Sequence, residues 1–328
     1  MTTPQPTPPS SLTSSLPKRL IVAINPAAAF GASSTVGMRV VAALRERGHQ
    51  VTVLLESDFA QLFVATQLAL RDTPDALVVV GGDGMVSLGT AVVATTGIPL
   101  GIIPCGTGND LARGLRLPLR DVAAALDVLC AALDAGPRVI DAVRLAPHGT
   151  PVVPQEKWFA GVLSAGFDAA VNERANSLRY PRGSSRYIIA LLIELVRLKP
   201  REYRLQLDGV ELVTKAVLIS VGNNVSIGGG MRVTPNALLD DGLLDVLVVT
   251  PLSRLAFLRI FPRVFAGTHL SDSRVTVHRA RRVRIESSGV VAYADGERVG
   301  ELPLEMEVQP GVLHVLAPRD TPTVSPVW

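Results

Sequence analysis

The chain has 328 residues, of which 48% are hydrophobic and 19% charged, with 28 Gly and 24 Pro. This length and apolar content fit about two globular domains and exclude a disordered or collagen-like chain, while the frequent Gly and Pro disfavour a coiled coil or helical bundle. The net charge of +3 gives no reason to expect a nucleic-acid partner, and Cys105 and Cys130 alone provide neither a disulfide framework nor a metal cluster.

The two ends of the chain predict unstructured tails. Residues 1–17 are rich in Pro, Ser and Thr, and residues 319–328 predict a second, shorter tail. No apolar run reaches the ~20 residues that a membrane-spanning helix needs, and no basic-then-apolar leader opens the sequence. Together with the two unpaired cysteines, these features predict a cytoplasmic protein.

The first half alternates strands and helices. Strands are predicted at residues 19–25, 51–55, 76–80 and 98–103, and helices at 35–47, 59–70, 85–95, 110–115 and 122–133. Short connections between them predict a doubly wound α/β domain over residues 18–143, a parallel sheet with helices on both faces. In such sheets ligands bind at the carboxyl ends of the strands.

The second half, residues 144–318, has a different pattern. Short strands are predicted at 204–207, 216–221, 244–249, 274–277, 283–285 and 312–316, with helices at 185–198 and 252–264. This pattern predicts an antiparallel β-sandwich domain. The predicted boundary with the first domain lies near Arg144, just before a loop at 147–154.

Two glycine-rich turns follow predicted strands of the first domain. Gly-Gly-Asp-Gly at 81–84 precedes a helix, and glycines beside a helix N-terminus can accommodate a phosphate while Asp83 holds Mg²⁺. Residues 104–110 form a second such turn, and Asn25 ends the first strand, so all three meet at one crevice. The alternative is that Asp83, Asn109 and Asp110 only cap helices. No Gly-Lys-Ser/Thr occurs, which excludes the common nucleoside-triphosphate P-loop.

Two acidic turns lie in the second half. Asp240 and Asp241 stand in a glycine-containing turn that suits Mg²⁺, although an Asp-Gly hairpin turn explains it equally well. Asp295-Gly296-Glu297 lies between strands, where a carboxylate reaching the crevice could accept a proton from a substrate hydroxyl. The alternative there is an ordinary hairpin tip.

Eight short motifs then follow one another along the chain: Asn25-Pro26, Gly81-Gly82-Asp83-Gly84, Gly106-Thr107-Gly108-Asn109-Asp110, Gly166-Phe167-Asp168, Gly222-Asn223, Gly228-Gly229-Gly230, Asp241-Gly242-Leu243-Leu244-Asp245 and Asp295-Gly296-Glu297. In this order they resemble the diacylglycerol kinase catalytic family, which includes soluble bacterial diacylglycerol kinases, related bacterial lipid kinases, and sphingosine and ceramide kinases. The resemblance runs from about Lys18 to Ala317. Each motif alone is weak, and the ordered set is specific.

The resemblance implies an ATP- and Mg²⁺-dependent lipid kinase that converts diacylglycerol to phosphatidic acid. It places Asp83, Asp110 and Glu297 in a carboxylate and water network around Mg²⁺, with Asp295 and Glu297 as competing candidates for the general base. We assign the proton to Glu297, because its longer side chain can span to the first domain. A structural Mg²⁺ would bind the Asp241 carboxylate and the carbonyls of Leu238 and Leu243. The nucleotide contacts implied are Asn25, Gly81, Gly82, Asp83, Gly84, Met85, Ser87, Gly106, Thr107, Asn109 and Asp110.

The sequence departs from the family pattern after the first glycine turn. The family usually has Thr there, with Asn and Glu two and three positions later, whereas this chain has Met85, Ser87 and Leu88. The losses of a hydroxyl and a carboxylate motivate one alternative, a catalytically inactive lipid or nucleotide sensor. A second alternative is a small-metabolite kinase similar to NAD kinases, which share Gly-Gly-Asp-Gly.

A lipid kinase without a membrane span must contact a membrane surface transiently. The segment 179–201 carries apolar residues between cations, which predicts a peripheral contact with the inner face of the membrane. A core helix with a solvated basic rim is the equal alternative. The sequence leaves a homodimer open.

Overall fold

The computed structural model describes residues 16–24, 32–56, 58–147, 157–178, 180 and 184–319. The predicted nucleotide contact Asn25, most of both predicted tails and most of the predicted loop at 147–154 lie outside these residues. The helices are α1 Ala32–Glu46, α2 Phe59–Ala69, α3 Asp83–Val93, α4 Asp110–Gly114, α5 Val122–Ala135, α6 Phe167–Ser177, α7 Ser184–Val196 and α8 Arg254–Ala266.

The strands fall into two sheets. They are β1 Arg19–Ile24, β2 Gln50–Leu55, β3 Ala76–Gly81, β4 Leu100–Pro104, β5 Arg138–Pro147, β6 Lys157–Phe159, β7 Val162–Gly166, β8 Arg201–Leu207, β9 Val210–Ala216, β10 Leu218–Gly222, β11 Leu244–Val249, β12 Val275–Ala280, β13 Arg282–Glu286, β14 Val291–Ala294, β15 Glu297–Glu301 and β16 Leu304–Val315.

Four parallel strands in the order β2-β1-β3-β4 form the first-half sheet. Successive side chains of β1 point to opposite faces, as strand geometry requires. Val22 and Ile24 share a core with residues of α1 and α5, whereas Ile21 and Ala23 share one with residues of α2 and α3. Helices therefore cover both faces, which confirms the predicted doubly wound domain.

The second half confirms the predicted sandwich. Six antiparallel strands in the order β12-β11-β10-β7-β14-β15 form one sheet. Its inward residues, such as Val221 and Val246, share one buried core with Tyr203, Val283 and Met306 from strands β8, β13 and β16 of the other sheet. Burial of this apolar surface is the main force that holds the two sheets face to face.

The two halves share a sheet, which sequence patterns did not predict. Eight strands in the order β2-β1-β3-β4-β16-β13-β8-β9, with β5 and β6 branching from β16, make one ten-stranded sheet, because the end of β16 adds beside β4. Val315 pairs in parallel with Leu100, and the Leu316 amide donates to the Leu100 carbonyl at 2.8 Å. Strand β5 runs through residues 143 and 144 and pairs with β16, so backbone hydrogen bonds connect the first-half sheet to the sandwich.

Helix α6 was also not predicted, since its sequence is polar and no apolar period marks it. Phe167, Val171 and Ala175, at four-residue spacing, are buried along one side in a shared cluster, so tertiary packing stabilises the helix. None of the described helices combines the length and the apolar character needed to cross a bilayer.

Candidate active site

The two glycine turns predicted at the strand ends touch each other. Gly82 is the N-cap of α3, and a Cβ built on Gly106 would lie 2.4 Å from the Gly82 Cα atom. The Cys105 amide also donates to the Gly81 carbonyl at 2.9 Å. Only glycine permits this approach of two backbones, so Gly82 and Gly106 set the distance between the turns.

Asn109 shapes the second turn from inside. It is buried and has the left-handed φ of 54° that Asn tolerates. Its side-chain amide donates to the Gly106 carbonyl at 2.8 Å and its Oδ1 accepts from the Gly106 amide at 3.1 Å. Both polar ends of the side chain are thus used to close the loop around Thr107, which is exposed.

Asp83 binds the second turn and does not cap its own helix. Its Oδ2 accepts from the Asn109 amide at 2.9 Å and its Oδ1 from the Asp110 amide at 2.8 Å, so the carboxylate caps α4. Burial raises the pKa of Asp83 and the neighbouring charge of Asp110 raises it further, while the amide hydrogen bonds lower it. A half-buried negative charge therefore lies at the N-terminus of α3.

Asp110 joins this turn to the second half of the chain. Its two carboxylate oxygens accept from the amides of Gly229 and Gly230, each at 2.9 Å. Its backbone carbonyl accepts from the side-chain amide of Asn224 at 2.9 Å. The triple glycine, which the sequence placed in a separate domain, is therefore part of the same crevice.

Asp295 organises the opposite wall. Its left-handed backbone, with φ of 48°, forms the turn between β14 and β15. Its oxygens accept from the amides of Ala160 at 3.1 Å, Gly161 at 3.2 Å and Val162 at 2.9 Å. Burial raises the pKa of Asp295 to about 6 against the lowering effect of these amides, and the charge of Asp83 also raises it.

Glu297 reaches across from the same turn. It is exposed, and a Cβ built on Gly84 would lie 3.2 Å from Glu297 Oε1. The carboxylate therefore lies against the first turn of α3, next to Asp83. Among the predicted acidic residues, this longer side chain spans the crevice between the two halves.

The residues that depart from the family pattern lie in or near the core. Met85 and Leu88 are both buried on the inner face of α3, and Met85 packs over Gly81. Only the Met85 backbone belongs to the turn, since its amide donates to the Gly82 carbonyl at 3.0 Å. Ser87 is partly exposed. A role of Met85 or Ser87 in nucleotide binding stays a prediction.

The predicted magnesium site at Asp241, Leu238 and Leu243 already contains a cation. The Arg279 guanidinium contacts the Asp241 carboxylate, and its Nε lies 3.2 Å from Asp245 Oδ1. The other Asp241 oxygen accepts from the Leu243 amide at 3.0 Å. Across the described residues no three His, Cys, Asp or Glu side chains are grouped as a metal centre. With Arg279 in place, these residues do not fit a structural Mg²⁺.

Comparison with known proteins agrees with this architecture. The model named diacylglycerol kinase catalytic domain matches residues 19–144, and the model named YegS C-terminal NAD kinase beta sandwich-like domain matches residues 161–317. A diacylglycerol kinase of Mycobacterium tuberculosis (strain ATCC 25618 / H37Rv) is 41% identical over 296 residues, which is 90% of this chain and 94% of the relative. The chain belongs to the diacylglycerol kinase family of lipid kinases. The family resemblance seen in the motifs is therefore confirmed.

Other members of this lipid kinase family and its structural neighbours extend the comparison. A probable lipid kinase YegS-like protein of Xanthomonas euvesicatoria is 30% identical over 295 residues, covering 86% of this chain and 91% of the relative. A crystal structure of a diacylglycerol kinase from Bacillus anthracis has a TM-score of 0.66 at 22% identity, over 92% of this chain and 97% of that one. Yeast NADH kinase shares the fold with a TM-score of 0.54 at 14% identity, over 92% and 83%.

The Arg279 contacts generate a stability prediction for this kinase. Burial raises the pKa of Asp245 to about 6, so ionising Asp245 costs stability as pH rises from the unfolded value near 3.8 through 6, and Arg279 limits that cost. Arg279→Ala should lower the free energy of unfolding by about 1–3 kcal/mol, more at alkaline than at acidic pH, in urea titrations. EDTA should leave the wild-type melting temperature unchanged. A fall that Mg²⁺ reverses in wild type but not in Asp241→Ala would place a metal at Asp241.

Proposed function

We propose that this chain is an ATP- and Mg²⁺-dependent kinase that phosphorylates the hydroxyl of diacylglycerol, giving phosphatidic acid and ADP. The observation that supports this most is the position of Glu297, whose Oε1 lies against Gly84 in the first turn of α3, while Asp83 at the start of the same helix binds the second glycine turn. Diacylglycerol is the acceptor favoured because the relative with 41% identity over 94% of its length is named diacylglycerol kinase.

The nucleotide phosphates would lie over the two glycine turns. Gly82, Gly84 and Gly106 leave the backbone accessible, and the start of α3 presents amides and the positive end of the helix dipole. Carboxylates nearby would repel a polyphosphate unless a cation accompanied it. Because the phosphates need a cation to offset this repulsion, we expect ATP to bind as its magnesium complex.

The side chains at α3 would supply only part of the Mg²⁺ coordination, because no three carboxylates of the described residues are grouped closely enough to hold a metal ion by themselves. The Asp83 carboxylate is a hard oxygen ligand, and its oxygens keep a further lone pair each after accepting one amide. The nucleotide phosphates and water would supply the other ligands, with Asp110 and Glu297 joining the network through water. When bound, Mg²⁺ would neutralise charge on the phosphates during transfer.

Glu297 is the proposed proton acceptor. The substrate oxygen would bond to the γ-phosphorus, the bond from that phosphorus to ADP would break, and the hydroxyl proton would pass to the Glu297 carboxylate. Asp295 is the weaker candidate because its two oxygens already accept three backbone amides. In this assignment Asp295 positions the β6–β7 turn and the hairpin that carries Glu297.

Two alternatives predict different products. A metabolite kinase that phosphorylates NAD is supported by the fold shared with yeast NADH kinase. A catalytically inactive sensor is suggested by Met85 and Leu88, but both lie in the core and leave the acidic set intact.

The deciding experiment uses the purified full chain with labelled ATP and Mg²⁺. Diacylglycerol in mixed micelles, sphingosine, ceramide and NAD are offered separately, and labelled products are resolved by chromatography. We expect phosphatidic acid from diacylglycerol. Labelled NADP without labelled lipid would favour the first alternative, and nucleotide binding without any product would favour the second.

Asp83 provides a prediction with an internal control. Asp83→Ala removes a carboxylate that caps α4, and Asp58→Ala removes one that accepts the Ala60 and Gln61 amides at the start of α2. Both changes should cost about 0.5–2 kcal/mol of stability by thermal melting. Only Asp83→Ala should lower kcat by tenfold or more, about 1.4 kcal/mol. Equal kcat values for the two variants would show that Asp83 only caps α4 and has no role in catalysis.

Substitutions of Glu297 and Asp295 should differ in their effects on the melting temperature and on kcat. Glu297→Gln keeps the size of an exposed side chain, so the melting temperature and the Kd for ATP should change little while kcat collapses. Asp295→Asn turns an amide group toward backbone N–H donors, so it should lower the melting temperature and reduce kcat less. The roles are reversed if Asp295→Asn is the less active enzyme at an unchanged melting temperature and Glu297→Gln mainly weakens ATP binding.

A further inference from the structure

Helices α7 and α8 each expose a stripe of apolar side chains. The exposed apolar residues are three and then four positions apart in α7, and three and then seven positions apart in α8. These spacings place each set on one face of its helix. The exposed fractions are 38% for Ile189, 53% for Leu192 and 67% for Val196, then 80% for Leu255, 48% for Leu258 and 53% for Phe265. These six residues are named here the α7–α8 surface.

The two helices are neighbours packed on one cluster. Leu195 of α7 and Phe257 of α8 are buried together, and the rings of Phe257 and Phe167 of α6 lie 4.6 Å apart. The Arg254 guanidinium at the start of α8 donates to the carbonyls of Leu195 at 3.2 Å and Val196 at 2.5 Å. The stripes lie on the helix sides that this shared cluster does not cover.

The exposed charges that the structure describes on α8 and just after α7 are cationic. Helix α8 contains no Asp or Glu and exposes Arg259, and Arg197 and Lys199 follow α7 as exposed residues. The acidic residue of α7, Glu194, binds Arg174 at 2.7 Å. Apolar side chains with a cationic rim match the acyl region and the anionic headgroups of a lipid bilayer.

A second copy of the chain is a poorer occupant. A twofold contact through this surface would set the same arginines and lysine against one another, which repels. An anionic bilayer meets both the apolar and the cationic parts of the surface.

We propose that the α7–α8 surface docks this enzyme on an anionic membrane, with the six apolar side chains below the headgroups and Arg197, Lys199 and Arg259 among the phosphates. This inference rests on the proposed lipid substrate, and it identifies the surface through which the enzyme would contact the membrane that contains this substrate. Helix α7 buries one side and exposes another, and the membrane contact predicted for segment 179–201 stays a prediction. The sequence did not single out α8.

Helix α6 connects the docked surface to the active site. It contacts α7 and α8 through the shared cluster, and its Glu173 accepts a hydrogen bond from the Tyr293 hydroxyl at 2.8 Å. Glu173 also pairs with Arg298 at 3.4 Å, the residue after Glu297. Docking through α7 and α8 therefore holds the hairpin of the proposed proton acceptor at a fixed height above the bilayer.

The test measures binding to vesicles without ATP or diacylglycerol. Wild type should co-sediment with vesicles of equimolar phosphatidylcholine and phosphatidylglycerol, and less with phosphatidylcholine alone. The double variant Leu192→Gln/Leu255→Gln should lower the partition coefficient about tenfold or more. Arg259→Gln should lower it about fivefold on the anionic vesicles only. Leu68→Gln, at an equally exposed leucine of α2, should bind as wild type does.

Parallel measurements separate this proposal from the proposed function. Turnover of a dispersed short-chain diacylglycerol reports on the kinase alone, and the double variant should keep it within twofold while losing turnover of long-chain diacylglycerol in vesicles. The docking proposal is overturned if the double variant binds vesicles as well as wild type does, or if wild type does not bind vesicles. Either outcome counts regardless of the turnover that is measured. Light scattering that shows a wild-type dimer which the double variant converts to monomer also overturns the proposal.

Discussion

The crevice depends on carboxylates that accept backbone amides. Asp83 holds the second glycine turn, Asp110 holds the triple glycine, and Asp295 holds the turn before β7. Asp141, which is buried, holds Gly242 at 2.7 Å and Gly311 at 2.9 Å in the same way. Charge-assisted bonds of this kind are stronger than neutral ones, so four aspartates fix loops that have few side chains of their own.

The same arrangement leaves the site short of positive charge. Burial raises the pKa values of Asp83 and Asp295; the charge of Asp110 raises that of Asp83 further, and the charge of Asp83 raises that of Asp295. Glu297 brings a further carboxylate to the start of α3. Such a site is rigid before any ligand enters, and it gains favourable electrostatic energy when a cation does.

Local patterns predicted what depends on local chemistry. The buried strands, the glycine turns and the acidic turns lie where the sequence placed them, because each needs particular residues within a few positions. The end of β16 beside β4 could not be predicted, since Val315 pairs with a residue more than two hundred positions away. Helix α6 is polar in sequence and stable only through Phe167 and its neighbours. The pairing of Arg279 with Asp245 likewise follows from the β11–β12 register, which sequence spacing does not give.

Strand β16 also bears on how the chain is made. The edge of β4 that β16 covers is an unpaired row of backbone donors and acceptors until residues near 315 have left the ribosome. Exposed strand edges invite pairing with other chains. When the first half of the chain has been synthesised, the β4 edge of its sheet is still unpaired. It stays unpaired until almost all of the remaining chain has been made. We therefore expect the yield of folded enzyme to depend on how quickly the second half is made and on whether chaperones cover the first half meanwhile.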